Sequence, residues 1–335
     1  MSSEKQSKYL YELTLSSSPH THSAWSTTRI MLDVLIALAL PLIGAIYWFG
    51  FRSLTVTLVS VLGCMFFEWA YRKIMKLDNT VSDLSAAVTG VLIAFVCPVT
   101  IPYWTILIGD FFAIIIVKQL FGGIGKNFMN PALAARAFLF SWPVAMSTWV
   151  LPGRSNWTAL LGASDAVTGA TPMADMHLGK LPAASLTDLL LGNTGGCLGE
   201  TCALLLLLGG LYLVIRRVIN PRIPLVYIGT VAILTLLFPK GGDPLLWMGS
   251  QVLSGGLILG AVFMATDYVT SPVTAWGQVI YAFGCGALTV MIRYFGSYAE
   301  GVSYAILVMN ACAGLLDKIG LPRRFGVTGK EAKTK

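Results

Sequence analysis

The chain alternates long apolar runs with short polar connectors. Ten apolar segments can be traced, at about residues 30–48, 54–71, 82–98, 103–117, 131–149, 197–215, 223–237, 245–265, 276–292 and 303–316. A helix crossing a bilayer on its own needs about 20 apolar residues, and several of these runs are shorter. Short runs broken by Gly and Pro are typical of membrane proteins in which irregular backbone lines an internal site. The pattern predicts an all-α integral membrane protein of about ten transmembrane helices.

The two halves echo each other. Leu84-Ser85-Ala86-Ala87 opens a helix ending near Pro98, before Ile101-Pro102-Tyr103-Trp104. Leu253-Ser254-Gly255-Gly256 opens one ending near Asp267, before Ser271-Pro272-Val273-Thr274. Phe121-Gly122 and Phe295-Gly296 follow at corresponding places. Two repeats of five helices must run in opposite directions through the membrane, which puts a site near the midplane where they meet. The expected division is a tail (1–29), a five-helix repeat (30–149), a long loop (150–196), a second repeat (197–317) and a second tail (318–335).

Charge orients this arrangement. With an even number of spans, the terminal side carries seventeen Lys and Arg and the opposite loops five, with Arg136 inside a span. The positive-inside rule places both ends in the cytoplasm and loop 150–196 outside. Residues 1–29 are polar and show no cleavable signal pattern, so the first apolar run is expected to anchor the chain. Only 12% of residues are charged and 56% are apolar, which excludes an ordinary soluble domain. The net charge of +7 sits in short clusters without interleaved aromatics, so nucleic acid is not an expected partner. None of the six cysteines forms a C-x-x-C pair, so no metal or cluster is expected on this chain alone; Cys197 and Cys202 are close enough in sequence to leave a disulfide open.

Three groups of residues could carry chemistry. The first is the outer-loop run Ser164-Asp165-Ala166-Val167-Thr168-Gly169-Ala170-Thr171-Pro172. Loops this long are often functional, small residues would leave the Thr171 hydroxyl accessible to a modifying enzyme, and Asp165 adds an acidic flank; an ordinary polar turn is the competing reading. The second is Phe121-Gly122-Gly123-Ile124-Gly125-Lys126-Asn127-Phe128-Met129-Asn130-Pro131. Asn127 and Asn130 could hydrogen-bond the polar edge of a ring, or Asn130 could serve only as a helix cap. Arg136, less than two turns further on, could offset Asp110 or a ligand phosphate. The third group is the acids Glu68, Asp110, Asp267 and Asp317. Acids within or at the ends of spans point to ion or proton handling, against the plainer reading of a local pair such as Glu68 with Arg72.

Taken together, these motifs resemble the family that contains the D-type protein of the Rnf complex, the ion-translocating ferredoxin:NAD+ oxidoreductase. The same family contains the B-type protein of the sodium-translocating NADH:quinone oxidoreductase. The resemblance runs from about Arg29 to Asp317 and is densest from Pro98 to Phe138. It implies that Thr171, the last residue of Thr168-Gly169-Ala170-Thr171, carries FMN through a phosphoester. A flavin transferase would attach it outside the cytoplasmic membrane. It implies further that Asn127 and Asn130 match asparagines that contact a non-covalent riboflavin, and that Glu68, Asp267 and Asp317 match acids of the cation path. Only about 29 residues precede the first span, fewer than in the B-type proteins of the quinone reductase, which favours the D type. Partners would be the A, B, C, E and G types of Rnf protein, which would hold the ferredoxin and NAD sites, together with Na+ or H+ as the coupling ion. Two readings compete with this one: a secondary transporter or channel with inverted repeats and no redox role, and a scaffolding protein with Thr171 unmodified.

Overall fold

The computed structural model describes residues 25–153, 169–200 and 202–319, and the regular structure among them is helical throughout. Helix α2 (Phe51–Ile74), which follows α1 (Thr27–Phe49), shows which solvent the sequence is written for. It buries Arg52, Ser53, Thr57, Ser60, Cys64 and Glu68. It exposes Leu58, Leu62, Phe66 and Trp69. Both sets recur at helical spacing, so one face is polar and the other apolar, but the apolar face points outward. In water this arrangement would be unstable. In a bilayer it is expected, because lipid covers the large apolar side chains and small or polar residues hold the helices together. The chain is a multi-span membrane protein.

Each apolar segment read from the sequence contains a helix. After α1 and α2 come α3 (Ser85–Phe95), α4 (Tyr103–Phe111), α5 (Pro131–Leu139) and α6 (Pro143–Met146). Two short helices follow, α7 (Pro172–His177) and α8 (Leu186–Leu191). The second half holds α9 (Ala203–Ile215), α10 (Arg222–Leu237), α11 (Pro244–Leu253), α12 (Leu257–Leu259), α13 (Ala275–Phe295) and α14 (Val302–Leu316). Among the described residues, α1, α2 and α13 are each long and apolar enough to cross a membrane unaided, and the bent pair formed by α11 and the stretch 257–264 is long and apolar enough for a broken span or a re-entrant loop. Helices α3, α9, α10 and α14 have only 11 to 16 residues.

The differences from the sequence reading lie in how the segments break. The 131–149 segment is not one helix: Trp142 leaves helical geometry (ψ 73°) before Pro143, which disfavours a helical conformation in the residue ahead of it. The 245–265 segment bends by 58° between α11 and α12. Gly255 (φ 68°) and Gly256 (φ 64°) take the left-handed conformation that turns the chain there. Helix α3 likewise starts from a left-handed residue, Leu84, with φ 64°. Helix α4 continues into a π-helical stretch, Phe112–Gln119, and α12 into another, Gly260–Met264. Such wide turns are uncommon and often mark functional positions. Helix α3 is buried along its whole length and packs against α1, α2, α4 and α5.

Candidate functional site

Two centres gather the residues singled out in the sequence. The first begins with Asn130. The residue before a proline is pushed toward extended backbone, and Asn130 (ψ 120°) therefore sits at the N-cap of α5. Its Oδ1 accepts from the amides of Ala132 at 3.0 Å and Leu133 at 3.3 Å. Its Nδ2 donates to the Met264 carbonyl at 3.3 Å, tying α5 to the second π-helical stretch. Asn127 donates to the Met129 carbonyl at 3.2 Å, and its Oδ1 accepts nothing from the described residues.

Both asparagines face a cavity of about 380 Å³. Its walls are apolar, from Ile30, Met31 and Val34 of α1, Val88 and Leu92 of α3, Leu213 of α9, and Val262 and Phe263. Its polar residues include Ser85, Thr89, Lys118, Asn127, Asn130, Thr266 and Asp267. Both π-helical stretches contribute to this lining, through Lys118 on one and Val262 and Phe263 on the other. Large apolar walls with a few converging polar groups suit a flat ring with one polar edge.

The three acids of the expected ion path are not brought together. Asp267 lines the cavity, where Thr270 donates to it at 3.1 Å. Glu68 lies behind the wall, fully buried, and its close partner is not the neighbouring Arg72, 4.0 Å away, but Lys118, whose Nζ is 2.8 Å from Oε2. Asp317 accepts from the amides of Val273 and Thr274, so it secures the chain entering α13. Asp110 is fully buried and accepts from Ser60 at 2.7 Å.

The second centre surrounds Thr171. Asp165 and Thr168 lie outside the described residues. Gly169 donates to the Trp149 carbonyl at 3.2 Å, and Ala170 is exposed. Thr171 is 7% exposed, so packing covers more of it than its small neighbours imply. It stands at the N-cap of α7, yet its side chain makes no capping bond. Ser26, Asn130, Ser185, Asp243 and Thr274, at the same position of other helices, all make one.

A void of about 20 Å³ joins Thr171 to Ser254, Gly255, Glu200 and Glu300. Arg136 reaches this centre rather than Asp110 or an open ligand site: it forms an ion pair with Glu300 and donates to Ser303 at 3.2 Å. The same guanidinium lies 3.6 Å from the Cys197 sulfur. Cys197, Glu200 and Glu300 bring their donor atoms within 4.8 Å of one another. Arg136 contacts two of the three and so supplies the positive charge a metal would bring. Cys197 and Cys202 are unbonded: the Cys197 sulfur faces the Val96 carbonyl and that of Cys202 the Leu190 carbonyl.

Sequence reasoning misses Lys118, Glu200 and Glu300. Lys118 ends an apolar run and reads there only as a topology charge. Glu200 follows the run Gly195-Gly196-Cys197-Leu198-Gly199, a polar break just before a Leu-rich helix, and that break is the one signal the sequence offers.

The NQR2, RnfD, RnfE family description matches residues 14–326. A protein of Acetobacterium woodii, named as the D component of a Na+-translocating ferredoxin:NAD+ oxidoreductase complex, is 48% identical, covering 96% of this chain and 98% of that one. One from Clostridium ljungdahlii, named as the D component of a proton-translocating ferredoxin:NAD+ oxidoreductase complex, is 43% identical over 93% and 96%. The D component of an ion-translocating oxidoreductase complex of Methanosarcina acetivorans is 35% identical over 95% and 99%. With matches of that identity over nearly its whole length, the chain belongs to the NQR2, RnfD, RnfE family.

Proposed function

We propose that this chain is the D-type membrane protein of an ion-translocating ferredoxin:NAD+ oxidoreductase, with FMN esterified to Thr171 and riboflavin held against Asn127 and Asn130. Its partners would be the A, B, C, E and G types of Rnf protein, with a flavin transferase acting during maturation. Electrons would cross the membrane by way of the two flavins, coupled to movement of Na+ or H+. Segments 30–149 and 197–317 would be inverted halves. Both termini would be cytoplasmic, and loop 150–196 would lie outside.

The observation that carries the Thr171 assignment is its unused hydroxyl. A threonine kept only to start α7 would accept an amide of the first turn, as the polar caps of five other helices do. Thr171 makes no such bond. The adjoining void of about 20 Å³ has room for an atom or two and not for a tricyclic ring, so the described residues fit the ester linkage rather than house the ring. The larger cavity fits a ring. Its walls would hold the apolar face, and the free Asn127 oxygen and the remaining Asn130 N–H would engage the polar edge.

A bound flavin supplies the electron chemistry, and the protein positions it. The chain's own part is to exclude water with α1, α3 and α9, to fix the asparagine edge through the α5 cap, and to set charge around it with Lys118 and Asp267. The test is in-gel fluorescence of the denatured chain produced with its transferase. Thr171→Ala should remove the signal; a signal that persists moves the attachment elsewhere, Thr168 being the nearest rival.

A further inference from the structure

We propose that the cavity beside Asn127 and Asn130 takes an uncharged flavin and rejects one that carries a phosphate, and that Asp267, together with the pairing of Lys118 with Glu68, sets this choice. This rests on the reading of a ring held against the two asparagines, and it adds what would make that flavin riboflavin while the one on Thr171 is FMN.

Proteins bind phosphate with a cation, with free amides at a helix start, or with a glycine-rich turn. The cavity wall contains all three, and each is already used. The cation is Lys118, whose Nζ donates to Glu68 Oε2 at 2.8 Å and to Ser85 Oγ at 2.6 Å, so its charge is matched from behind the wall. Two helices begin at the cavity. In α5, Pro131 has no N–H, Asn130 Oδ1 takes the amides of Ala132 and Leu133, and the Asn130 carbonyl takes that of Ala134. In α3, the amide and the hydroxyl of Ser85 both donate to Asp83 Oδ1. The glycine-rich turn reaches the cavity through Ile124 and Gly125. Its amides at Gly122, Gly123 and Lys126 donate to the carbonyls of Gln119, Lys118 and Gly123.

The lining hydroxyls are spent in the same way. Thr89 donates to the Ser85 carbonyl at 3.0 Å and Thr266 to the Val262 carbonyl at 2.5 Å. A hydroxyl has one proton, so both offer an occupant only lone pairs. The hydroxyls of a sugar alcohol can donate to them, and an ionised phosphate oxygen cannot. Against these spent groups stands Asp267, which none of the ion pairs among the described residues includes. Burial works against its charge, while Thr270 at 3.1 Å and the amides of Val269 and Tyr268 donate to the carboxylate and sustain it. Arg72, 4.0 Å from Glu68, and Lys126, packed against Gly122, are nearby cations that do not line the cavity, and Asp83 is an acid behind Ser85. With Lys118 matched by Glu68, Asp267 is the charge an occupant meets. Across a water-poor cavity of this size, one unit charge changes the affinity of an anion by about tenfold or more.

The test uses the purified multiprotein assembly, denatured to release non-covalent flavin, with riboflavin and FMN separated by chromatography. Covalent flavin stays on the chain, and flavin released by partner proteins is a background common to all variants. Wild type should release riboflavin. Asp267→Asn removes the unmatched charge, and Glu68→Gln frees Lys118, whose missing counter-charge a phosphate would supply. In both, riboflavin should fall and FMN should rise above the wild-type amount by an equal number of molecules, with the preference for riboflavin reduced about tenfold or more. Lys118→Met keeps Asp267 and leaves Glu68 unmatched by the ammonium, so it should gain no FMN. If it gains FMN as Asp267→Asn does, a loosened wall rather than charge admits the phosphate, and the proposal fails. No gain of FMN in Asp267→Asn and Glu68→Gln overturns it as well, whether riboflavin is kept or lost. If one of those two does not assemble, the other decides. A wild-type assembly that releases no riboflavin would remove the reading of a second flavin, and this proposal with it.

Discussion

Asn130 has two roles that can be separated by substitution. As a cap it satisfies the amides of Ala132 and Leu133, and as a cross-link it donates to the Met264 carbonyl. Losing the cap costs about 1 kcal/mol. Losing the cross-link, with a buried carbonyl left unpaired, costs about another 1 kcal/mol. Asn130→Ala should therefore destabilise the protein by about 2 kcal/mol, a fall of roughly 3 °C in the unfolding midpoint for a chain of this size. Asn130→Ser keeps a capping oxygen and should lose about half of that. Asn127→Ala breaks one bond within a turn and should lose less than about 1 kcal/mol. If the asparagines also hold a ring, flavin content will not follow this order. All three variants should lose extractable flavin, including the two that remain nearly as stable as wild type. The assay pairs thermal unfolding with chromatography of flavin released on denaturation. Wild-type flavin content in Asn130→Ser and Asn127→Ala would show that the asparagines only build the backbone.

Thr171→Ser keeps a hydroxyl at the same place and should retain covalent flavin, whereas Thr171→Ala should have none; in-gel fluorescence distinguishes them. Arg136→Met leaves Glu300, whose side chain is only 12% exposed, without its ion-pair partner and should cost about 3 kcal/mol, seen as loss of assembled protein or a large fall in the unfolding midpoint. Pairing it with Glu300→Gln should recover much of that loss. Gly256→Ala forces a side chain into a left-handed conformation, at about 1 kcal/mol or more, and sets its Cβ 2.7 Å from Glu200 Oε2. It should lower the midpoint by a few degrees; an unchanged midpoint would mean that the α11/α12 break does not depend on this conformation.

The helical segments are legible because lipid as solvent leaves a one-dimensional signature: a run is apolar or it is not. The sharp features inside the runs are less so. Gly255-Gly256 is visible as an interruption, but a 58° bend depends on φ values that composition does not record. The π-helical stretches at Phe112–Gln119 and Gly260–Met264 have no sequence mark, since a wider turn needs no particular residue. Partners are the hardest to read. An Arg inside a span has to face something, and Arg136 does, but Glu300 is 164 positions away. Local spacing pairs Glu68 with Arg72 one turn on, whereas the close contact is Lys118, 50 positions on. Asn127, Asn130 and Asp267 stand out in the sequence as polar groups with work to do, and they share a cavity, while Asp317 serves as a local anchor for α13.

A flavin esterified to Thr171 would leave its mark on the intact mass of the chain isolated from its native assembly. The expected mass is that of the polypeptide plus one FMN less one water, with fragmentation placing the increment on Thr171. A mass equal to the bare polypeptide would contradict the assignment.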